Sequence, residues 1–244
     1  HRNTRRQRQM CIRDRICYYF YAYNRLANHE NLSFSIPTGN FGNVFACYSA
    51  FKMGLPIKTI SVAVNDNDIL HRFFASNDYS KKQVHETISP SMDISVASNF
   101  ERLVYDFFLD RSTAKCAELF NNFPSRGIEL DEATWNKKNA LFSSSSVDDA
   151  ATQAIIQSVN NEHHYLLDPH TAVAMQEAIE VSSGTDHYVV ATAHPAKFPD
   201  IYKKLAIDLS ETPKALKGLY EKTEHLHHFE ANYNEITSFI NSRN

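Results

Sequence analysis

The 244 residues are 43% hydrophobic and 22% charged, enough apolar content to bury one sizeable core, or one core and a lobe. A formal net charge of −3 and a pI near 6.5 argue against a nucleic-acid partner held by electrostatics, and no apolar run approaches the ~20 residues that a membrane helix needs. The four cysteines, Cys11, Cys17, Cys47 and Cys116, form no C-x-x-C pair, so neither a zinc site nor a disulfide scaffold is indicated, and a reducing cytoplasm fits them.

Residues 1–15 stand apart. Six arginines (Arg2, Arg5, Arg6, Arg8, Arg13, Arg15) crowd this block, and without an apolar stretch it is not a secretory signal. Gln9-Met10-Cys11-Ile12-Arg13-Asp14-Arg15 looks like translated sequencing-adaptor sequence, so the block is expected to be foreign to the fold and disordered. From Ile16 to Tyr23 aromatic rings dominate, and large rings of this kind are expected to pack into a core.

Leu32, Phe34 and Ile36 alternate with polar residues, as in a strand with one buried face. Pro37 ends that ladder, Thr38 to Asn43 form a short polar turn, and Val44 to Met53 is patterned as a helix. Gly54 follows where a left-handed cap is expected. Ile60, Val62 and Val64 supply a second strand, which makes the unit βαβ with a right-handed parallel crossover. Two of the chain's six glycines, Gly39 and Gly42, lie in the turn. They permit positive φ and close approach of a ligand to the backbone, and the helix behind them offers free N–H groups to a phosphate. A plain strand-to-helix turn with Asn43 as N-cap explains the same spacing and is favoured by it. With no third glycine and no Gly-Lys-Ser/Thr, it is neither a dinucleotide fingerprint nor a P-loop.

Asn65 to Asp68 close the second strand, at the end where open α/β sheets bind ligands, and Asp68 is a suitable N-cap for a helix over 69–75. Ser89, Ser91 and Asp93 sit in a turn before a strand-like Ile94-Ser95-Val96. Ser98 and Glu101 read as a capping box for a helix over 99–109. Residues 110–146 read as a helix–turn–helix lobe with a solvated Ser143–Ser146 linker, after which Ser146 and Asp149 cap a helix over 148–161. Asp168-Pro169-His170-Thr171 opens a helix that runs to Val181 and is ended by Gly184. Tyr188 to Ala191 is a strand with Thr192 at its carboxyl end, the edge that carries the glycine turn if both strands are parallel. His225, His227 and His228 lack a carboxylate or thiolate at ligand spacing and read as a polar helix face, so no metal site is expected.

Several longer motifs occur in one consistent order. They are Pro37-Thr38-Gly39-Asn40-Phe41-Gly42-Asn43, Asn67-Asp68-Ile69-Leu70, Ser89-Pro90-Ser91-Met92-Asp93, Ser98-Asn99-Phe100-Glu101-Arg102, Asp168-Pro169-His170-Thr171-Ala172 and Ala191-Thr192-Ala193-His194-Pro195. Together they resemble threonine synthase of the fungal and bacterial type from about Ile16 to the C-terminus. The resemblance implies an α/β fold of the fold type II pyridoxal-phosphate class, like the tryptophan synthase β chain. Such a fold has an open, mostly parallel sheet flanked by helices; here it would be incomplete, with a helical lobe and a C-terminal helical tail. The implied division is a foreign or disordered 1–15, a cofactor-binding α/β part over 16–109, a lobe and linker over 110–146, a return to the α/β domain over 147–204, and a tail over 205–244.

The implied activity is that of a carbon–oxygen lyase converting O-phosphohomoserine and water to threonine and phosphate, in the cytoplasm, with neither nucleic acid nor membrane as partner. By resemblance, Gly39, Asn40, Phe41, Gly42 and Asn43 bind the phosphate of pyridoxal phosphate, and Thr192 hydrogen-bonds its pyridine nitrogen. The family often has Asp where Asn43 stands, and its upstream Asn-Trp-x-Arg motif is lost, with Cys11 near the place of the Arg. The family's Schiff-base lysine lies upstream of the glycine turn, no lysine here occupies the matching motif, and Lys197 is expected to be structural. The chain is therefore expected to be a C-terminal fragment, inactive alone. A threonine-synthase-like phospho-lyase and a non-catalytic remnant that binds phosphate metabolites are the competing readings.

Overall fold

The computed structural model describes residues 2–26, 32–181, 187–209, 213, 214, 218 and 221–243, with side chains from residue 12 onward except that of Pro124. The order is α1 (Arg2–Tyr23), β1 (Leu32–Pro37), α2 (Gly42–Lys52), β2 (Ile57–Val64), α3 (Ile69–Ser76), α4 (Phe100–Leu103, continued by a π turn over Val104–Phe108), α5 (Thr113–Arg126), α6 (Glu132–Asn136), β3 (Phe142–Ser146), α7 (Asp149–His163), α8 (Pro169–Val181), β4 (His187–Val189), α9 (Pro199–Lys204) and α10 (Tyr233–Asn241). The chain divides into two units, His1–Asp208 and Leu209–Asn244.

The first unit is an α/β layer structure built on one four-stranded sheet of order β3-β2-β1-β4, with every pair parallel. The period of two gives the sheet two different faces. Ser35, Ser61 and Ser143 are aligned across neighbouring strands, and with Ala63 they make a face of small side chains on which α8 lies. The opposite face presents Phe34, Ile60, Val62 and Phe142 to an aromatic core. There Phe34 meets Tyr19 edge-on, Phe142 stacks on Phe74, and Phe100 is ringed by Phe41, Phe73, Phe74 and Tyr79. α2 ends as expected, with Gly54 at φ 103 and the Leu55 N–H bonded to the Ala50 carbonyl, a Schellman close.

Five local expectations differ from what is found. The boundary placed at Ile16 falls inside α1, where Ile12 is buried in the core and Tyr19 donates to the Asn43 carbonyl at 2.9 Å. Of the aromatic run, Tyr19 packs inward while Tyr18 and Tyr21 are exposed. The serine run is the edge strand β3 and not a linker; pairing with β2 overrides its weak intrinsic preference, and a short polar strand suits an edge. Asp68 occupies the N-cap position of α3, but its carboxylate takes the Arg72 Nε–H at 2.8 Å and caps nothing. α7 is capped by Asp148, which accepts the Ala151 N–H at 2.7 Å, while Asp149 accepts from Ile88 and Ser146 donates to the Asn65 carbonyl. Gly184 lies outside the described residues.

In the second unit α10 is capped by Asn232, and His227 packs on Phe239 and bonds Arg243. Among the described residues no cluster of His, Cys, Asp and Glu could hold a metal, and no helix is long and apolar enough to cross a membrane.

Two features give measurable consequences. Phe100 is fully buried at the centre of the ring cluster, so Phe100→Ala should cost about 3–5 kcal/mol in urea denaturation. Glu177 of α8 is buried against the serine face, within 3.3 Å of Ser143 Oγ, and burial raises its pKa above the ordinary 4.5 against the opposing serine hydrogen bonds. A raised folded pKa means that the unfolded chain ionises first, so stability falls as pH rises from about 4.5 through the folded value. Glu177→Gln lacks this loss; its stability relative to the parent should improve across that window and then level off.

Candidate functional site

β1 and β4 lie side by side, yet β1, β2 and β3 run outward in the other direction. The sheet therefore has its switch point between β1 and β4, where the loops after the two carboxyl ends diverge and leave a crevice. A cavity of about 540 Å³ opens there. Gly39, Asn40, Phe41, Gly42, Asn43 and Thr192 all line it, and residues 91, 92, 98, 99 and 170 complete much of the wall.

The turn between β1 and α2 is tightly determined. Thr38 donates its N–H to the Ala63 carbonyl at 2.8 Å and its hydroxyl to the Ile36 carbonyl at 2.6 Å, which carries the register of β1 one residue past Pro37. The chain then reverses at Phe41, with φ 65 and ψ 8. The left-handed residue is thus Phe41, and neither Gly39 nor Gly42 has positive φ. What the glycines supply is room. A Cβ on Gly39 would sit 2.7 Å from the Ser91 carbonyl oxygen and 3.2 Å from the Met92 Cα. One on Gly42 would meet only the movable Arg15 guanidinium, at 2.7 Å, and Asn99 Nδ2 at 3.8 Å.

α2 starts at Gly42, so Asn43 lies inside the helix and the N-cap is Phe41, which has no side chain able to cap. The first helical bond runs from the Phe45 N–H to the Phe41 carbonyl at 3.0 Å. The N–H groups ahead of it receive no side-chain acceptor, and those of Gly42 and Asn43 belong to residues on the cavity wall. Uncapped first-turn donors and the positive end of the helix dipole attract an anion. Phe41 turns its ring the other way, edge-on to Phe100 at 5.3 Å, and leaves its backbone at the cavity.

Two loops brace this turn. On one side Asn99 donates both its backbone N–H (3.2 Å) and its Nδ2 (2.9 Å) to the Asn40 carbonyl, and the Ser98 N–H reaches Asn40 Oδ1 at 3.4 Å. No capping box forms between Ser98 and Glu101: this segment is a clamp on the turn, where sequence reasoning found only a helix start. On the other side lies Ser91, on a loop anchored by a buried network in which Asp93 accepts from Asn65, Asn67 and Thr87. Ser89 shares the network through Asn65.

His170 and Thr192 face the turn from α8 and from the end of β4. His170 accepts the Ser91 N–H on Nε2 at 3.2 Å, and Thr192 donates its N–H to Thr171 Oγ1 at 3.3 Å. Behind both stands Asp168, with a side chain 1% exposed, which accepts from His170 and from the Thr171 hydroxyl. Burial pushes its pKa up, but the hydrogen bonds from His170 and Thr171 outweigh this and hold the carboxyl below its ordinary range. His170 is one of the wall residues that sequence reasoning passed over, as are Ile12 and Arg15 of the block expected to be foreign; a histidine one position into a helix gives no local signal of what it faces. Among the described residues no lysine lines the cavity, and Lys197 lies exposed in the turn beyond Thr192.

A family model described as "Threonine synthase, C-terminal" matches residues 171–240. Threonine synthase of Pseudomonas aeruginosa is 42% identical over 218 residues, 87% of this chain and 46% of the relative. The crystal structure of threonine synthase from Brucella melitensis with PLP bound superposes with a TM-score of 0.88 at 37% identity, covering 95% of this chain and 50% of the other. The yeast threonine synthase structure superposes at 0.82 and 31% identity, covering 94% and 51%. The chain spans about half the length of curated relatives that it matches.

The different surroundings of the two glycines predict different stabilities. Gly39→Ala drives a Cβ into backbone and should cost about 1–3 kcal/mol. Gly42→Ala meets only a flexible side chain and enters a helix, so it should be neutral or stabilising by up to about 1 kcal/mol. Urea midpoints of the two variants against the parent decide the matter.

Proposed function

We propose that this chain, homologous to threonine synthases over most of its length, holds pyridoxal phosphate at the switch point of its sheet and is the cofactor-phosphate side of a lyase that turns O-phosphohomoserine and water into threonine and phosphate. The observation that carries the reading is the start of α2, an uncapped helix N-terminus on the wall of a cavity, behind a turn whose glycines leave no Cβ in the way. A phosphate suits that donor set better than any neutral group does. In this reading the backbone from Gly39 to Asn43 binds the phosphate, with Asn40 and Asn43 offering side-chain amides, while Phe41 fixes the turn from the core side.

Thr192 then faces the ring. When bound, the cofactor supplies an electron sink for carbanions of the amino-acid substrate. Thr192 offers the ring nitrogen a neutral hydroxyl and not a carboxylate, so it orients that nitrogen without keeping it protonated, and more of the charge stabilisation falls to other protein groups. The proton transfers need a base. With no lysine on the described cavity wall, these 244 residues are proposed to bind the cofactor without completing turnover.

A titration of the purified chain with pyridoxal phosphate tests the reading. Saturable binding that inorganic phosphate competes is expected, with no threonine formed from O-phosphohomoserine. Gly42→Val should weaken binding about 10- to 100-fold, the equivalent of one lost charge-assisted hydrogen bond, and Thr192→Ala should change it only a few-fold. No saturation, or equal losses in both variants, would remove the assignment. Borohydride reduction followed by peptide mapping should find no single lysine labelled at stoichiometric cofactor; one specific adduct would refute the claim of inactivity.

A further inference from the structure

We infer that Asp168 is a positioning residue that sets both the Thr192 wall and the Ser91 wall of the cavity, through two one-way hydrogen-bond relays, one at each oxygen of its carboxylate. Plain helix capping accounts for part of what Asp168 does: Oδ1 accepts the N–H groups of His170 at 3.0 Å and Thr171 at 3.4 Å, at the start of α8. Capping does not account for the rest. Oδ1 also takes His170 Nδ1 at 3.2 Å, and Oδ2 is bonded to the Thr171 hydroxyl.

The direction of each bond is fixed, because an ionised carboxylate can only accept. In the first relay the Thr171 hydroxyl gives its hydrogen to Asp168, which leaves its oxygen as the acceptor for the Thr192 N–H at 3.3 Å. In the second, Nδ1 of His170 carries the hydrogen given to Asp168, so Nε2 is the acceptor that the Ser91 N–H finds at 3.2 Å. These partners assign the neutral Nδ1–H tautomer to His170. Ser91 is the residue whose carbonyl oxygen closes on Gly39, so the second relay ends on the glycine turn, while the first ends on the residue proposed to meet the ring. One buried carboxylate thereby fixes the spacing between the two ends of the ligand that the cavity is proposed to take. The relays themselves stand on the ligand-free chain; only their use in spacing a cofactor rests on the proposed function.

Single-arm variants test this without removing the carboxylate. Thr171→Val keeps the side-chain shape and deletes the first relay. Amide hydrogen exchange, followed by NMR on the ligand-free chain, should quicken at Thr192 about five- to tenfold, the effect of one neutral hydrogen bond, and stay unchanged at Ser91. Thr171→Ser, which keeps the hydroxyl, should restore the parent rate. His170→Phe should do the reverse, quickening exchange at Ser91 and sparing Thr192. In the parent, the imidazole 15N spectrum of His170 should show hydrogen on Nδ1 and a bare Nε2. Equal effects of either variant on both amides, no effect on either, no rescue by serine, or hydrogen on Nε2 would each overturn the inference. Failure of the parent to bind pyridoxal phosphate would strike the proposed function alone, since the exchange rates are read without it.

Discussion

Every strand of the sheet runs the same way, and the placement of the cavity depends on that. Parallel strands bring all their carboxyl ends to one edge, so the turn after β1 and the residues after β4 meet there although about 150 residues separate them in the chain. The strand order does the remaining work. Because β4 joins β1 on the side away from β2, the connections after these two strands part company and leave a crevice between them. Shifting β4 to the far side of β3 would leave the same residues at the same edge with no crevice between the glycine turn and Thr192.

The two faces of the sheet are matched to what covers them. Serine and alanine at aligned positions let α8 approach closely, which brings its first turn, with Asp168, His170 and Thr171, up to the level of the cavity. The opposite face has no small residues to spare and is filled by rings. Phe100 is the hinge between this core and the site, since the helix that carries it begins with the Asn99 clamp on Asn40, and its ring is the partner of Phe41. Core packing and site geometry are therefore one structure, not a scaffold with a loop added.

Much of this was legible in the sequence, and what was not has a common cause. The alternation in 32–36 and 60–64, the helix to Val181 and the shared edge of the turn and Thr192 follow from periodicity and from the handedness of βαβ units, which are local or nearly so. Ser143–Ser146 was misleading because its strand state is imposed by β2, eighty residues away, and not by its own side chains. Ser98 and Glu101 fit a capping box by spacing, yet the backbone of 98 and 99 is drawn to Asn40 instead. Gly39 and Gly42 were expected to permit positive φ and close approach together, and neither takes positive φ. What each makes room for, the Ser91 carbonyl at Gly39 and the Arg15 side chain at Gly42, depends on residues distant in the chain.

Phe41 shows most plainly that the turn is shaped for more than stability. A left-handed non-glycine residue costs about 1–2 kcal/mol, and forgoing a Ser, Asp or Asn cap forfeits about another 1. Against this, full burial of a Phe side chain contributes about 1.5–3 kcal/mol, and an aromatic pair adds about 0.5–1.5. The terms nearly cancel, so the phenylalanine holds the turn together about as well as a capping residue in a relaxed conformation would. The difference lies in what remains free. A capping oxygen would occupy the first-turn N–H groups from within the chain, whereas a ring turned into the core leaves them without a side-chain acceptor, on residues that line the cavity. Bracing by Asn99 on one side and Ser91 on the other then keeps those donors in place without filling the space in front of them.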